Sequence, residues 1–244
     1  MSTNDRGLFY KKVFKDGKCV ASNIASVHVD DIISAASNNP DGKKLEIEFW
    51  QSTEQKWPGI KMQRGPQYKH LSWNIDQDHQ SGAIQKSQKD YLNELVKEVG
   101  VEREHRLPCR SDLLTPDVNS PKLGEKGISR FRSILQKVAY AREGRPDFDF
   151  VVCYLQSKQS SPTEQDWSDL FHLLGYIKRF PEKVVAFAPT DLQLRGYTDA
   201  SFNITADARS YFGYIITLGD HSLLPREDAL KRLFALLQRR KSPP

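Results

Sequence analysis

The spacing of hydrophobic residues changes three times along this chain, and those changes restrict the fold more than any single motif. From Gly7 to Ser37, "GLFYKKVFKDGKCVASNIASVHVDDIISAAS", short β-branched runs are cut by turn residues at Asp16-Gly17 and near Asp30-Asp31, which predicts strands. "HLSWNI" and "GAIQ", separated by the polar "DQDHQS", predict a further hairpin between Tyr68 and Ile84. The period then becomes helical. In "SQKDYLNELVKEVGV", Tyr91, Leu92, Leu95, Val96 and Val99 form one apolar stripe, Ser87 with Asp90 suggests a capping box, and Gly100 suits the stop. Further helices are expected from about Ser129 to Arg142, over "DFDFVVCYLQSKQ", and from an N-cap at Ser161 to Pro181, with Trp167, Leu170, Phe171, Leu174 and Ile177 at helical spacing. Strands return in "LQLRGYTDASF" and "SYFGYIITLG", joined by "NITADAR", and the closing "REDALKRLFALLQRRKSPP" reads as an amphipathic helix. The class this implies is α+β.

Composition narrows the function classes. A chain of 244 residues that is 38% hydrophobic can bury a substantial core. No apolar run approaches the roughly 18–20 residues that span a bilayer, and "MSTNDRG" lacks an apolar signal segment, so a soluble intracellular protein, neither secreted nor membrane-bound, is expected. Cys19, Cys109 and Cys153 are widely separated and form no CxxC, which favours reduced structural thiols over a zinc site or disulfides. The net charge is +5, but residues 226–241 carry six Lys/Arg against Glu227 and Asp228, a local +4, so the body of the chain is close to neutral. Charge alone therefore does not make that body a nucleic-acid-binding domain.

The adjacent carboxylates of Asp30 and Asp31 need explanation. At about 4 Å they repel by roughly 1 kcal/mol in water and by more at lower dielectric, so a cation or a proton must relieve them. Oxygen ligands of this kind suit Mg²⁺, and paired Mg²⁺ ions serve phosphoryl displacement. A solvated turn is the alternative reading of a bare Asp-Asp.

Four blocks in order carry a resemblance. "VHVDDIISAAS" is similar to a "YVDD" hairpin. "KHLSWNI" with "GAIQKSQKDYLNELVKEVGV" resembles an "FLGIEI" strand followed by "I-x-Q-x-x-Y-x-x-x-L-L". "ISRFRSILQKVAYAREGRPDFDFVVCYLQSKQSSPTEQDWSDLFHLLGYIKRFPE" resembles a segment containing "TRPDI" and "RILRYLKGT", and "LRGYTDASFNITADARSYFGYIITLGD" is similar to "GYSDADWAGD…RSTSGYVF-x-LG". Together, over about Gly7 to Asp220, they resemble the reverse transcriptase and ribonuclease H region of copia-type long-terminal-repeat retrotransposon polyproteins.

The resemblance implies a partial palm hairpin and thumb over 1–106, a mainly helical connection over 107–190, the first ribonuclease H-like strands over 191–220, and a divergent basic helix and tail over 221–244. It implies Mg²⁺ as cofactor, an RNA/DNA template-primer as partner, Asp30 and Asp31 as polymerase metal ligands and Asp199 as a ribonuclease H ligand. His28 stands where the family has an aromatic Tyr near the primer end, and Ser72 replaces the family's Gly. Only 29 residues precede Asp30, and neither Asp5 nor Asp16 has the apolar strand context of the family's further polymerase aspartate. After Asp220 the family's next carboxylate-bearing helix has no counterpart. The expectation is a fragment of an RNA-directed DNA polymerase/ribonuclease H without autonomous activity. The alternatives are an enzyme completed by an upstream polyprotein fragment and a non-catalytic nucleic-acid-binding protein that uses its basic tail. Exposed apolar faces on the first strands are expected in either fragment reading.

Overall fold

The first hairpin forms where Asp16-Gly17 interrupts the β-prone run. In the computed structural model, which describes residues 5–63, 65–115, 117–183, 185–188, 193–201, 209–218, 221–222 and 237–240, strand β1 (Leu8–Lys15) pairs antiparallel with β2 (Lys18–His28). Asp16 and Gly17 both have positive φ, 49° and 77°, the Asp-Gly turn that matches the twist of flanking strands. A register shift between Val13 and Phe14 places a bulge beside this turn. The second hairpin joins β2 to β3 (Asp31–Ala36), giving a sheet in the order β1-β2-β3.

One face of this sheet is covered by a helix that the sequence reading does not place: α1, Pro40–Lys56. Its start is well specified. Asn39 caps it by accepting from the Gly42 N–H at 2.8 Å, Pro40 occupies the first turn, and the Asn39 amide donates to the Val20 carbonyl at 2.9 Å, fixing the helix to β2. The inner face is sparse, with Gly42, Leu45 and Thr53 buried over Ala21, Asn23 and Ala25 of β2. That sparseness hides the helix from a periodicity argument. Strand β4 (Gln67–His70) is the last element of this first unit, residues 1–71.

The second unit, residues 72–244, opens with β5 (Trp73–Gln77) and β6 (Ile84–Ser87), the expected second hairpin, and β6 also pairs with β7 (Val185–Phe187). Helix α2 (Lys89–Val99) ends on Gly100 at φ 75°, as its sequence predicts, but Gln88 rather than Ser87 precedes it and no side chain caps it. Helices α3 (Glu125–Tyr140), α4 (Asp149–Lys158) and α5 (Glu164–Arg179) follow. The α5 capping box is Thr163 with Asp166, two residues beyond the expected Ser161, because Asp166 can return a bond to the Thr163 N–H at 2.7 Å.

These helices bury Leu92, Leu95, Phe131, Leu135, Val138, Phe148, Val152, Leu155, Leu170, Leu174 and Ile177 in one core. Leu113 and Leu123 of the Pro/Gly-rich connector are buried in it too. The chain divides at 71/72, and these apolar anchors tie the connector into the helical core despite its turn-rich composition.

A second sheet closes this unit. Strand β8 (Leu194–Ser201) pairs along β9 (Arg209–Leu218), and β10 (His221–Ser222) and β11 (Leu237–Arg240) pair with β9 at its two ends. Leu237–Arg240 is thus strand where the amphipathic pattern suggested helix. The edge of β9 beside Arg209–Phe212 offers these four residues backbone partners that a frayed helix end cannot. Residues 223–236 and 241–244 of that expected helix and tail lie outside the described residues.

Candidate functional site

The β2–β3 turn is a two-residue loop, Val29-Asp30, held between the paired residues His28 and Asp31. Val29 has φ 56° and is 88% exposed, while Asp30 is not among the positive-φ residues. Positive φ at the first central position alone is the pattern in which glycine normally stands. A β-branched residue there is strained, at a typical cost of order 1–3 kcal/mol. Val29 is the residue that sequence reasoning passed over. Its signal was available, since a two-residue loop at "VDD" forces an inverted turn on valine. Val29→Gly should stabilise the N-terminal unit by about 1 kcal/mol, the released strain less the greater flexibility of glycine in the unfolded chain; urea denaturation followed by hydrogen exchange in β2 and β3 measures it.

Both carboxylates at this turn are solvent-exposed, and neither has a hydrogen-bond or ion-pair partner among the described residues. Alternation along the strands puts His28 and Asp31 on the sheet face opposite α1, with Tyr10, Ile24 and Ile33. Tyr10 and Ile24 are 51% and 47% exposed, so this apolar face is open as expected for the first strands.

Ser72 and Asp199 belong to the second unit. Leu71 and Ser72 take φ 47° and 64°, so Ser72 occupies a conformation that favours glycine. Asp199 lies on β8 opposite Gly213, exposed, with its carboxylate accepting the Ala200 N–H at 2.8 Å. The structure thus gathers His28, Asp30 and Asp31 on one hairpin and sets Asp199 and Ser72 on separate elements. Among the described residues no group of three or more His, Cys, Asp or Glu side chains could share a metal ion. Two exposed carboxylates alone fall short of the ligands that a two-metal site needs.

Comparison with known proteins bears on the origin of the chain. It is 29% identical over 228 residues to a retrovirus-related Pol polyprotein from transposon RE2 of Arabidopsis thaliana, an alignment covering 89% of this chain. The chain is similar to part of a retrotransposon Pol polyprotein. It spans only 14% of that relative's length, and the similarity supports reading it as a piece of such a polyprotein. No family model and no solved structure matches it. No helix among the described residues is long and apolar enough to cross a membrane.

Proposed function

We propose that the chain is a piece of a copia-type retrotransposon reverse transcriptase, running from the palm hairpin and thumb through a helical connection into the first ribonuclease H-like strands, and that alone it neither polymerises nor cleaves. The observation that carries this reading is the hairpin: an exposed, strained two-residue turn presenting Asp30 and Asp31 side by side, in a chain similar to a retrotransposon Pol polyprotein. Conformational strain at an exposed turn fits a structure retained for placing a side chain rather than for stability.

In this reading Asp30 and Asp31 would hold Mg²⁺ beside an RNA/DNA template-primer, with His28 near the primer end, Ser72 at a primer-contacting turn, and Asp199 as a ribonuclease H ligand. Mg²⁺ supplies charge stabilisation for phosphoryl transfer when bound. The residues present do not complete such a site, and no catalytic step is assigned to them. The remaining carboxylates would come from the upstream polymerase segments.

Primer extension and hydrolysis of an RNA–DNA hybrid test this directly. The purified chain with Mg²⁺ should give no turnover above that of an Asp30→Ala, Asp31→Ala double variant. Adding the upstream polymerase segment of a related polyprotein should produce extension that the double variant cannot support. Extension by the chain alone, abolished by Asp30→Ala, would overturn the inactivity, and failure of the added segment to restore Asp30-dependent extension would count against the palm assignment.

A further inference from the structure

Helix α1 does not fill the space beside β1. Phe9 and Lys11 of β1 stand opposite Ala25 and Asn23 of β2, and alternation puts all four on the α1 side of the sheet. Ala25 and Asn23 are buried there, and their short side chains leave room above them. A groove of about 490 Å³ remains, walled by Phe9, Leu45 and Phe49, with Asn23 and Ala25 on its floor. That volume lies within the roughly 300–1,000 Å³ of small-ligand sites.

The polar groups around the groove differ in what they still need. Lys11 and Glu48 neutralise each other at 3.0 Å, and the Ser52 hydroxyl donates to the Phe49 carbonyl at 2.8 Å. Asn23 is 4% exposed and lines the groove, yet its side-chain carbonyl makes no hydrogen bond. A buried acceptor in that state has given up its hydration for nothing, so the site favours whatever brings a donor to it. That donor has to be uncharged. A carboxylate would meet the Asn23 carbonyl and Glu48 with the same sign, and an ammonium would shed its water where Glu48 already holds Lys11. The walls decide the rest. Phe9, 40% exposed, and Phe49 offer ring surface to the groove, which suits an aromatic guest in an offset or edge-on arrangement.

We infer that the groove between β1 and α1 binds a flat, uncharged aromatic molecule with a single N–H or O–H donor, of the indole or phenol class. The donor sits on the Asn23 carbonyl, the ring lies against Phe9 and Phe49, and the remaining volume takes an apolar substituent. Each property of the guest answers one property of the groove: the donor answers the unpartnered acceptor, neutrality the closed Lys11–Glu48 pair, and aromaticity the walls. The groove lies on the α1 face of the sheet and His28 and Asp31 lie on the other, so this site does not depend on the function of the aspartate turn.

Chemical-shift titration of the full 244-residue chain with indole and with 1-methylindole tests it, because the two rings share a shape and only the first carries a donor. Indole should shift the backbone amides of β1, β2 and α1 around the groove saturably, with a Kd of about 1 mM or lower, as a ring of this size allows. 1-Methylindole should bind at least about fivefold more weakly, the loss of one hydrogen bond to a buried acceptor. Asn23→Ala should erase that difference, and the wild-type comparison of the two rings stands whether or not this variant folds. Indole-3-acetate should bind the wild-type chain no better than indole does. Glu48→Gln, which frees the Lys11 ammonium, should raise the affinity for indole-3-acetate by about twofold to fivefold, the scale of an exposed ion pair. No saturable shift up to about 10 mM indole, equal binding of the two rings, a difference that survives Asn23→Ala, or indole-3-acetate binding more tightly than indole or unaffected by Glu48→Gln would each overturn the proposal.

Discussion

Asp147→Ala should destabilise the second unit by about 3–5 kcal/mol, among the largest losses any single substitution in this chain can produce. Arg145 is 2% exposed and holds the Asp147 carboxylate through Nε at 3.0 Å and Nη2 at 3.1 Å. Tyr176 donates to the same carboxylate at 2.5 Å and Lys183 lies 3.2 Å away. Removing the acid leaves a buried guanidinium without its counter-charge. Burial alone would raise the Asp147 pKa, but the Arg145 bonds and charge, with Tyr176 and Lys183, outweigh it and bring the value down to about 2. A carboxyl whose folded pKa is depressed contributes stability that is complete above the unfolded value near 4 and is lost as pH falls towards about 2. The loss over that window is about 2 kcal/mol.

Asp169 acts with the opposite sign. Burial pushes its pKa up to about 6, with Asp166 and Asp112 adding to the rise and the Arg110 guanidinium, 3.0 Å away, opposing it. The folded state then binds a proton more readily than the unfolded chain between about pH 4 and 6, so stability increases as pH falls through 6. Urea unfolding of the second unit across pH 3–7 should therefore show maximal stability near pH 4–5. Asp169→Asn should flatten the slope between pH 4 and 6, and Asp147→Asn should flatten the acid limb below 4. A monotonic profile in the wild-type chain would contradict both assignments.

What the sequence made legible follows from where its physical signals are local. Asp16-Gly17, Gly100 and the apolar stripes of α2 and α5 each encode their structure within a few residues, and each element forms there. Asp30 and Asp31 sit at a hairpin tip for the same reason, because turn residues between two β-branched runs leave little choice. Signals that depend on distant partners were not readable. Leu237–Arg240 has helical periodicity and becomes strand only because β9 offers an edge. Leu113 and Leu123 lie in a segment whose prolines and glycines suggest a linker, and only the helices they touch make them core. Asn23, 4% exposed with its side-chain carbonyl unpartnered, had no sequence signal, since an asparagine in a strand looks the same whether its amide is satisfied or orphaned.

Gly42→Ala should cost the first unit about 3 kcal/mol while sparing the second. A Cβ built at Gly42 would lie 2.0 Å from the Ser37 carbonyl oxygen and 2.8 Å from its carbon, and both are backbone atoms that no rotamer change can move. Overpacking in well-filled sites typically costs 1–3 kcal/mol, and here the obstruction falls where the chain leaves β3. Ser37 donates its N–H to the Ser22 carbonyl at 2.9 Å and its hydroxyl accepts from the Ser22 N–H at 2.9 Å, so displacing Ser37 loosens β3 from β2 at the end remote from Asp30. The Gly42 N–H is also the group that Asn39 caps, and a displaced first turn gives up that bond, worth about 1 kcal/mol. Because the chain divides at 71/72, the damage should be local. Hydrogen exchange should accelerate in β2, β3 and α1 while the amides of α3, α4 and α5 keep their wild-type protection. Uniform acceleration across both units would mean that they unfold as one cooperative body, and the hairpin bearing Asp30 and Asp31 would then owe its rigidity to the second unit's core rather than to the helix packed on its own sheet.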